Sequence, residues 1–277
     1  MVAQWRAKEK LCSFLKVFVF ALFPIFLGFD GAAPRVAAQE TSPCVDPSGL
    51  ARSVVSIVHY FDKPTSDVIG ERATAWFYRS SRFLVTAAHF ANELPADDWR
   101  EVELRQARDG EPDMVVRTRI RVVAPQAPAK DRMTGAAARA GLAQDVAILE
   151  LQDPFPNAQV LQVKPETPPK DAAILVIGYP DGTMQAARGI VREAEDPAGK
   201  YAGLAMFEVQ GSNRLLLNAG ASGAPVLDCR EGHVVAVLNG LLTGPPLSFL
   251  SRNLVIPTPW GRPTNTAVPA STLNGLL

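Results

Sequence analysis

The chain has 277 residues, with 28 basic and 28 acidic residues and an apolar fraction of 47%. This is the composition of an ordinary globular protein, and the length is sufficient for two compact lobes. Because the formal net charge is zero, the composition gives no basis for a nucleic-acid partner or for an anionic membrane surface.

The N-terminal residues have the composition of a secretory signal. Basic residues precede an apolar stretch at 17–29, and small residues follow as far as Ala38. This order is typical of signal peptides, so we expect residues 1–38 to be cleaved and the mature chain to be exported to the periplasm or the medium, free of the membrane. The alternative is a retained anchor, but the apolar stretch is shorter than the roughly 20 residues that span a bilayer and contains Pro24.

Three cysteines are present, of which Cys12 would leave with the signal. Cys44 and Cys229 would remain as an even pair, which favours a disulfide in an oxidising compartment. Two unpaired buried thiols are the alternative. The sequence has no Cys-x-x-Cys motif and no histidine cluster, so we expect no metal site and no cofactor.

Short apolar runs bounded by turn residues dominate the mature sequence. They are rich in β-branched and aromatic residues, which predicts an all-β fold of barrels or sandwiches. The Pro-rich stretch at 153–169 is predicted to join two halves, 39–152 and 153–277, and a short helix is predicted at 269–276. The predicted strands lie at 54–58, 75–78, 83–86, 115–123, 146–151, 173–177, 205–209 and 234–238.

Of the three histidines, His89 is the candidate general base. It follows a predicted strand that ends in two alanines, whose small side chains leave room for a projecting ring. His59 and His233 are interpreted as structural or solvated residues. Asp145 directly precedes the predicted strand at 146–151. It is either a turn residue facing water or a carboxylate that orients the His89 ring.

The segment Gly220-Ala221-Ser222-Gly223-Ala224-Pro225 follows a long apolar run. Its two glycines indicate unusual backbone angles on either side of the serine. The segment is either a plain turn between strands or a tight loop that presents a serine hydroxyl together with free backbone N–H groups. The chain order histidine, aspartate, serine is the chymotrypsin-type order, and it places the serine in the other half from its two partners.

With these motifs the chain resembles the trypsin/chymotrypsin-like serine proteases, especially the bacterial branch that includes the high-temperature-requirement-type proteases. The resemblance covers roughly residues 50–275 and implies two antiparallel β-barrels with the active site in the cleft between them and a short C-terminal helix. We recognise no PDZ domain and expect none. The matching segments are Thr86-Ala87-Ala88-His89, Asp145-Val146-Ala147-Ile148-Leu149, Gly220-Ala221-Ser222-Gly223-Ala224-Pro225, Ile177-Gly178-Tyr179-Pro180 and Ala267-Val268-Pro269-Ala270.

The resemblance implies His89 as the base, Asp145 as the group that orients it and Ser222 as the nucleophile of an acyl-enzyme mechanism. The oxyanion hole would consist of the N–H groups of Gly220 and Ser222.

The resemblance also implies where a substrate would bind. Leu216 would form the floor of the primary specificity pocket, with Leu238 and Asn239 beside it. Residues 236–240 would form an edge strand to which a substrate backbone adds. Because the floor is apolar, we expect small or medium apolar side chains before the scissile bond.

Two positions depart from the family pattern. Ala221 stands where activated trypsins have an aspartate that pairs with a newly cut N-terminus, so we expect activity without processing beyond signal removal. Ala224 replaces a glycine, which would cost about 1 kcal/mol if that position needs positive φ. The expected function is an exported serine endopeptidase that acts on polypeptides, and the alternative is a catalytically inactive homologue that serves as a protein-binding module.

Overall fold

The computed structural model describes residues 44–62, 69–92, 94, 98–108, 110–124, 143–193, 204–209, 220–242 and 264–276. The predicted signal at 1–38 and the predicted pocket residue Leu216 lie outside these ranges. Within them, twelve strands form two closed six-stranded antiparallel barrels, which confirms the predicted all-β fold. None of the helices in the described ranges has the length and apolar character needed to cross a bilayer.

The first barrel has the strand order β1-β2-β3-β6-β5-β4. The sequence predicts five of its six strands from their apolar runs but misses β4, which is mostly charged. Alternate residues of β4 are nevertheless buried, among them Val102, Leu104 and Gln106, and this alternation with a period of two is the signal that could have identified it. The strands are β1 (Val54–Tyr60), β2 (Gly70–Phe77), β3 (Phe83–Thr86), β4 (Arg100–Arg108), β5 (Glu111–Ala124) and β6 (Ala147–Leu151).

The second barrel has the strand order β10-β11-β12-β9-β8-β7. The predicted C-terminal helix is present as a single 3-10 turn, Ala270–Leu273. It starts later than predicted because Pro269 still pairs with Ala236 at the end of the last strand. The strands are β7 (Ala173–Gly178), β8 (Gln185–Glu193), β9 (Ala205–Val209), β10 (Pro225–Asp228), β11 (Val234–Leu242) and β12 (Thr264–Pro269).

The two barrels pack on one another through an apolar layer outside both barrel interiors. Trp76 and Ile148 contribute to this layer from the first barrel, and Leu175, Leu227 and Val237 contribute from the second. All five side chains are at most 2% exposed, and burying a large apolar side chain is worth about 1.5–3 kcal/mol. The interface therefore fixes how one barrel faces the other.

The segment that connects the barrels is hydrogen-bonded to both of them. The N–H of Leu161 donates to the carbonyl of Phe77 in the first barrel, and the N–H of Lys164 donates to the carbonyl of Val234 in the second. The predicted pair Cys44 and Cys229 forms a disulfide across a sequence separation of 185 residues. Both features tie distant parts of the chain to the second barrel.

Tyr179, directly after β7, reaches from the second barrel into the first. Its side chain is fully buried, and its hydroxyl accepts a hydrogen bond of 2.8 Å from the N–H of Ala107 on β4. The hydroxyl also lies 3.5 Å from the carbonyl oxygen of Val54 on β1, to which it can donate. Burial raises the pKa of the Tyr179 phenol to about 12. Tyr179 is therefore a neutral, hydrogen-bonded link between the barrels.

We expect Tyr179→Phe to change how stability depends on alkaline pH. A pKa raised from 10 to about 12 means that the contribution of the neutral phenol is present below pH 10 and is lost as the pH rises towards 12. The difference in unfolding free energy between wild type and Tyr179→Phe should therefore move by about 2 kcal/mol in favour of the variant between pH 9 and 11.5. Denaturant titrations at several pH values measure it.

Tyr60→Phe is the control, because Tyr60 is 45% exposed and its substitution removes a surface hydroxyl only. Parallel stability curves for wild type and Tyr179→Phe across this pH range would contradict the expectation.

Candidate active site

His89 and Asp145 are brought together by the pairing of β3 with β6. The two strands run antiparallel with Thr86 opposite Ala147, so the residues just after β3 lie beside those just before β6. His89 lies three positions after the end of β3, and Asp145 lies two positions before β6. A register of this kind places the two side chains next to each other without any help from the second barrel.

The Asp145 carboxylate binds His89 with both oxygens. Oδ1 accepts from the backbone N–H of His89 at 2.7 Å, and Oδ2 lies 2.8 Å from Nδ1 of the ring. A carboxylate can only accept, so Nδ1 carries a proton and Nε2 of a neutral ring keeps its lone pair. The exposed fractions of the side chains are 18% for His89 and 7% for Asp145. The ring is thus fixed in one tautomer, with its other nitrogen available as a proton acceptor.

Ser222 lies in the loop 220–224, which we call the serine loop, directly before β10. Gly220 and Gly223 have φ values of +97° and +88°, conformations that side chains with a Cβ rarely adopt. Ala224 has no positive φ, so its substitution for glycine carries no backbone strain. The predicted cost at this position is therefore absent.

The serine loop packs against the strand end that leads to His89. A Cβ on Gly223 would lie 2.5 Å from Oγ1 of Thr86 and 2.8 Å from the backbone nitrogen of Ala87. Ser222, the residue before this glycine, is half-buried. Only a glycine fits at 223, and its contact sets the serine loop beside the segment 86–89 that carries the histidine.

The predicted oxyanion donors differ from their neighbours in their hydrogen bonding. In the described part of the chain, the N–H groups of Gly220 and Ser222 have no acceptor, whereas the N–H of Gly223 donates to the carbonyl of Leu238 and that of Ala224 donates to the carbonyl of Ala221. Within the described ranges, these two N–H groups of one tight loop have no partner and are therefore available to an incoming oxyanion.

The predicted pocket residues on β11 are both buried, with exposed fractions of 4% for Leu238 and 5% for Asn239. The Leu238 side chain packs in the core of the second barrel, and its backbone holds the serine loop. The expected edge strand at 236–240 is shorter than predicted, because β10 pairs with β11 as far as Val237. On the same side, the N–H of Leu238 donates to the carbonyl of Ala224.

Sequence reasoning missed Thr74 on β2. Thr74 is fully buried; its hydroxyl donates to the carbonyl of Gly220 in the serine loop, and its backbone carbonyl accepts from the hydroxyl of Thr86 before the histidine. The only available signal was a polar residue between two alanines in the apolar half of β2, and a β-branched residue in a strand is unremarkable. Tyr179, noted within a bacterial-type motif, was assigned no role.

Comparisons with known proteins agree with this architecture. Residues 73–237 match the family model described as the trypsin-like peptidase domain, and the two closed barrels give the chain the fold of that class. The chain belongs to the trypsin-like peptidase family. No curated protein matches it.

Solved structures share the fold at low sequence identity. The active form of the Rv3671c protease from M. tuberculosis has a TM-score of 0.52 and 19% identity, covering 83% of this chain and 82% of that one. The MamO protease domain from Magnetospirillum magneticum has a TM-score of 0.51 and 17% identity, covering 82% and 97%. Deg5 has a TM-score of 0.51 and 15% identity, covering 81% and 86%. These likenesses show that the chain shares its fold with the protease domains of these proteins.

Proposed function

We propose that this protein is a serine endopeptidase that hydrolyses peptide bonds through an acyl-enzyme. The observation that carries the proposal is the His89–Asp145 pair, with both carboxylate oxygens engaged, beside a glycine-rich loop that holds Ser222. A serine hydroxyl is a weak nucleophile until a base accepts its proton. In this proposal Nε2 of His89 is that base.

Each step of the reaction then has a group to perform it. As Ser222 Oγ attacks the carbonyl carbon, His89 takes the hydroxyl proton, and Asp145 stabilises the resulting imidazolium without itself becoming protonated. The N–H groups of Gly220 and Ser222 bind the oxyanion. His89 then gives the proton to the leaving amine as the peptide C–N bond breaks. In the second half, His89 takes a proton from a water molecule that attacks the acyl carbon, and it returns this proton to Ser222 Oγ as the acid leaves.

Labelling with a fluorophosphonate probe tests the proposal. We expect the wild type to be labelled at Ser222, and we expect His89→Ala and Ser222→Ala to lose labelling. Asp145→Asn should lower kcat by about 10⁴, because the ring loses its fixed tautomer. His233→Ala is the matched control, since His233 contacts Glu231 on a surface turn, and it should label like wild type. A folded wild type that is not labelled would instead support the protein-binding alternative.

We also propose a preference for small or medium apolar side chains before the scissile bond. It rests on the family resemblance, which implies Leu216 as the floor of the pocket, a position where a leucine offers no carboxylate to a basic side chain. Substrates with Ala or Val before the scissile bond should exceed those with Arg or Lys by about 10-fold or more in kcat/KM. Fluorogenic peptides that differ only at this position measure the ratio, and preferred cleavage after Arg or Lys would contradict the preference.

Export is the third part of the proposal. The pattern of residues 1–38 supports it, and the Cys44–Cys229 disulfide is of the kind that persists in oxidising compartments. N-terminal sequencing of the protein recovered from the cell envelope or the medium should begin at Gln39. A recovered protein that begins at Met1 would contradict cleavage.

A further inference from the structure

Thr74 on β2 hydrogen-bonds to two carbonyl groups of the serine loop, those of Gly220 and Ser222. Its backbone N–H donates to the carbonyl of Ser222 at 2.9 Å, and its Oγ1 lies 2.7 Å from the carbonyl oxygen of Gly220. Thr74 belongs to the first barrel and the serine loop to the second. One residue therefore joins the two barrels at the loop that holds the proposed nucleophile.

The direction of the Thr74 hydroxyl is fixed by its second partner. The N–H of Tyr179 lies 2.9 Å from Oγ1 and can only donate, so Oγ1 accepts there and its single proton points to Gly220. The carbonyl of Thr74 in turn accepts from the Thr86 hydroxyl at 2.8 Å, three residues before His89. The N–H, the carbonyl and the hydroxyl of Thr74 thus all have hydrogen-bond partners, which hold the residue between the histidine segment and the serine loop.

These contacts orient the peptide planes of the serine loop. The carbonyls of Gly220 and Ser222 point to Thr74, and the carbonyl of Ala221 accepts from the N–H of Ala224. In a trans peptide the C=O and the following N–H point in opposite directions. Once the Ala221 carbonyl is turned into the loop, the N–H of Ser222 must point away from it. Three consecutive carbonyls are therefore fixed, and the Ser222 N–H is left for a ligand.

The serine loop needs such an anchor because Ala221 cannot form an ion pair with a new N-terminus. Ala221 is 3% exposed and packs in the core of the second barrel. We propose that Thr74 is the positioning residue that holds the oxyanion-binding conformation of the serine loop in the uncut protein. This inference rests on the proposed peptidase function and adds to it the group that preorganises the loop.

The test compares Thr74→Val, which keeps the branched shape and removes the hydroxyl, with Thr74→Ser, which restores it. For Thr74→Val we expect kcat for a peptide substrate to fall about 10- to 100-fold, because a displaced oxyanion donor costs up to about 10²–10³. KM should change by less than about 3-fold, since the oxyanion forms only in the transition state. Thr74→Ser should stay within about 3-fold of wild type in both constants.

Hydrogen exchange supplies a readout that does not need activity. The amides of Gly223 and Ala224, which are hydrogen-bonded within the structure, should exchange about 10-fold faster in Thr74→Val than in wild type or Thr74→Ser. If the wild type is inactive but exchange responds in this way, the proposed peptidase function fails while the anchoring role stands.

The matched control is Ser56→Ala on β1. Ser56 is 1% exposed and pairs directly with Thr74. Its substitution removes a neighbouring buried hydroxyl that, within the described ranges, makes no hydrogen bond to the serine loop. It should behave as wild type in kcat and exchange. If Thr74→Val does not fold, Thr74→Ala takes its place. Wild-type kcat and exchange in a folded variant without the hydroxyl, or a Thr74→Ser variant as impaired as Thr74→Val, would overturn the proposal.

Discussion

The contact between β2 and the serine loop is the interaction on which the rest of the site depends. A loop with two glycines at positive φ has few hydrogen bonds of its own, and its carbonyls would be costly to bury without partners. Thr74 supplies two of these partners and is itself completely buried. Water cannot replace it there. The conformation around Ser222 is therefore set by a residue of the opposite barrel.

The two halves of the proposed catalytic apparatus form by different means. His89 and Asp145 follow from the register of a single antiparallel strand pair, so they come together as soon as the first barrel closes. The serine loop is set beside the histidine segment only when the barrels pack through the shared layer of Trp76, Leu175 and their neighbours. The His89–Asp145 pair is thus formed by the first barrel alone, whereas the complete proposed site requires the two barrels to pack together.

This difference explains what the sequence could predict. The short apolar runs, the cysteine pair and the three motifs are local patterns, and they predicted the all-β fold, the disulfide and the proximity of His89 to Asp145. The role of Thr74 depends on a contact between residues 146 positions apart, and a threonine in a strand looks like any other β-branched residue. The charged strand β4 was missed for a local reason. Its alternation of buried and exposed residues is regular, but its apolar residues are too few to form the kind of run that marked the other strands.

The chemistry of the anchor also distinguishes this chain from relatives that are switched on by cutting. An ion pair between an aspartate and a new N-terminal amine forms only after cleavage and weakens when either group loses its charge. The bonds from Thr74 to the serine loop join hydroxyl, amide and carbonyl groups, none of which titrates in the neutral range. The loop can therefore stay ordered without a cut and across a wide range of pH. In the proposed reaction, proton exchange is the task of His89, which accepts and returns a proton in each half, whereas Thr74 only holds the loop.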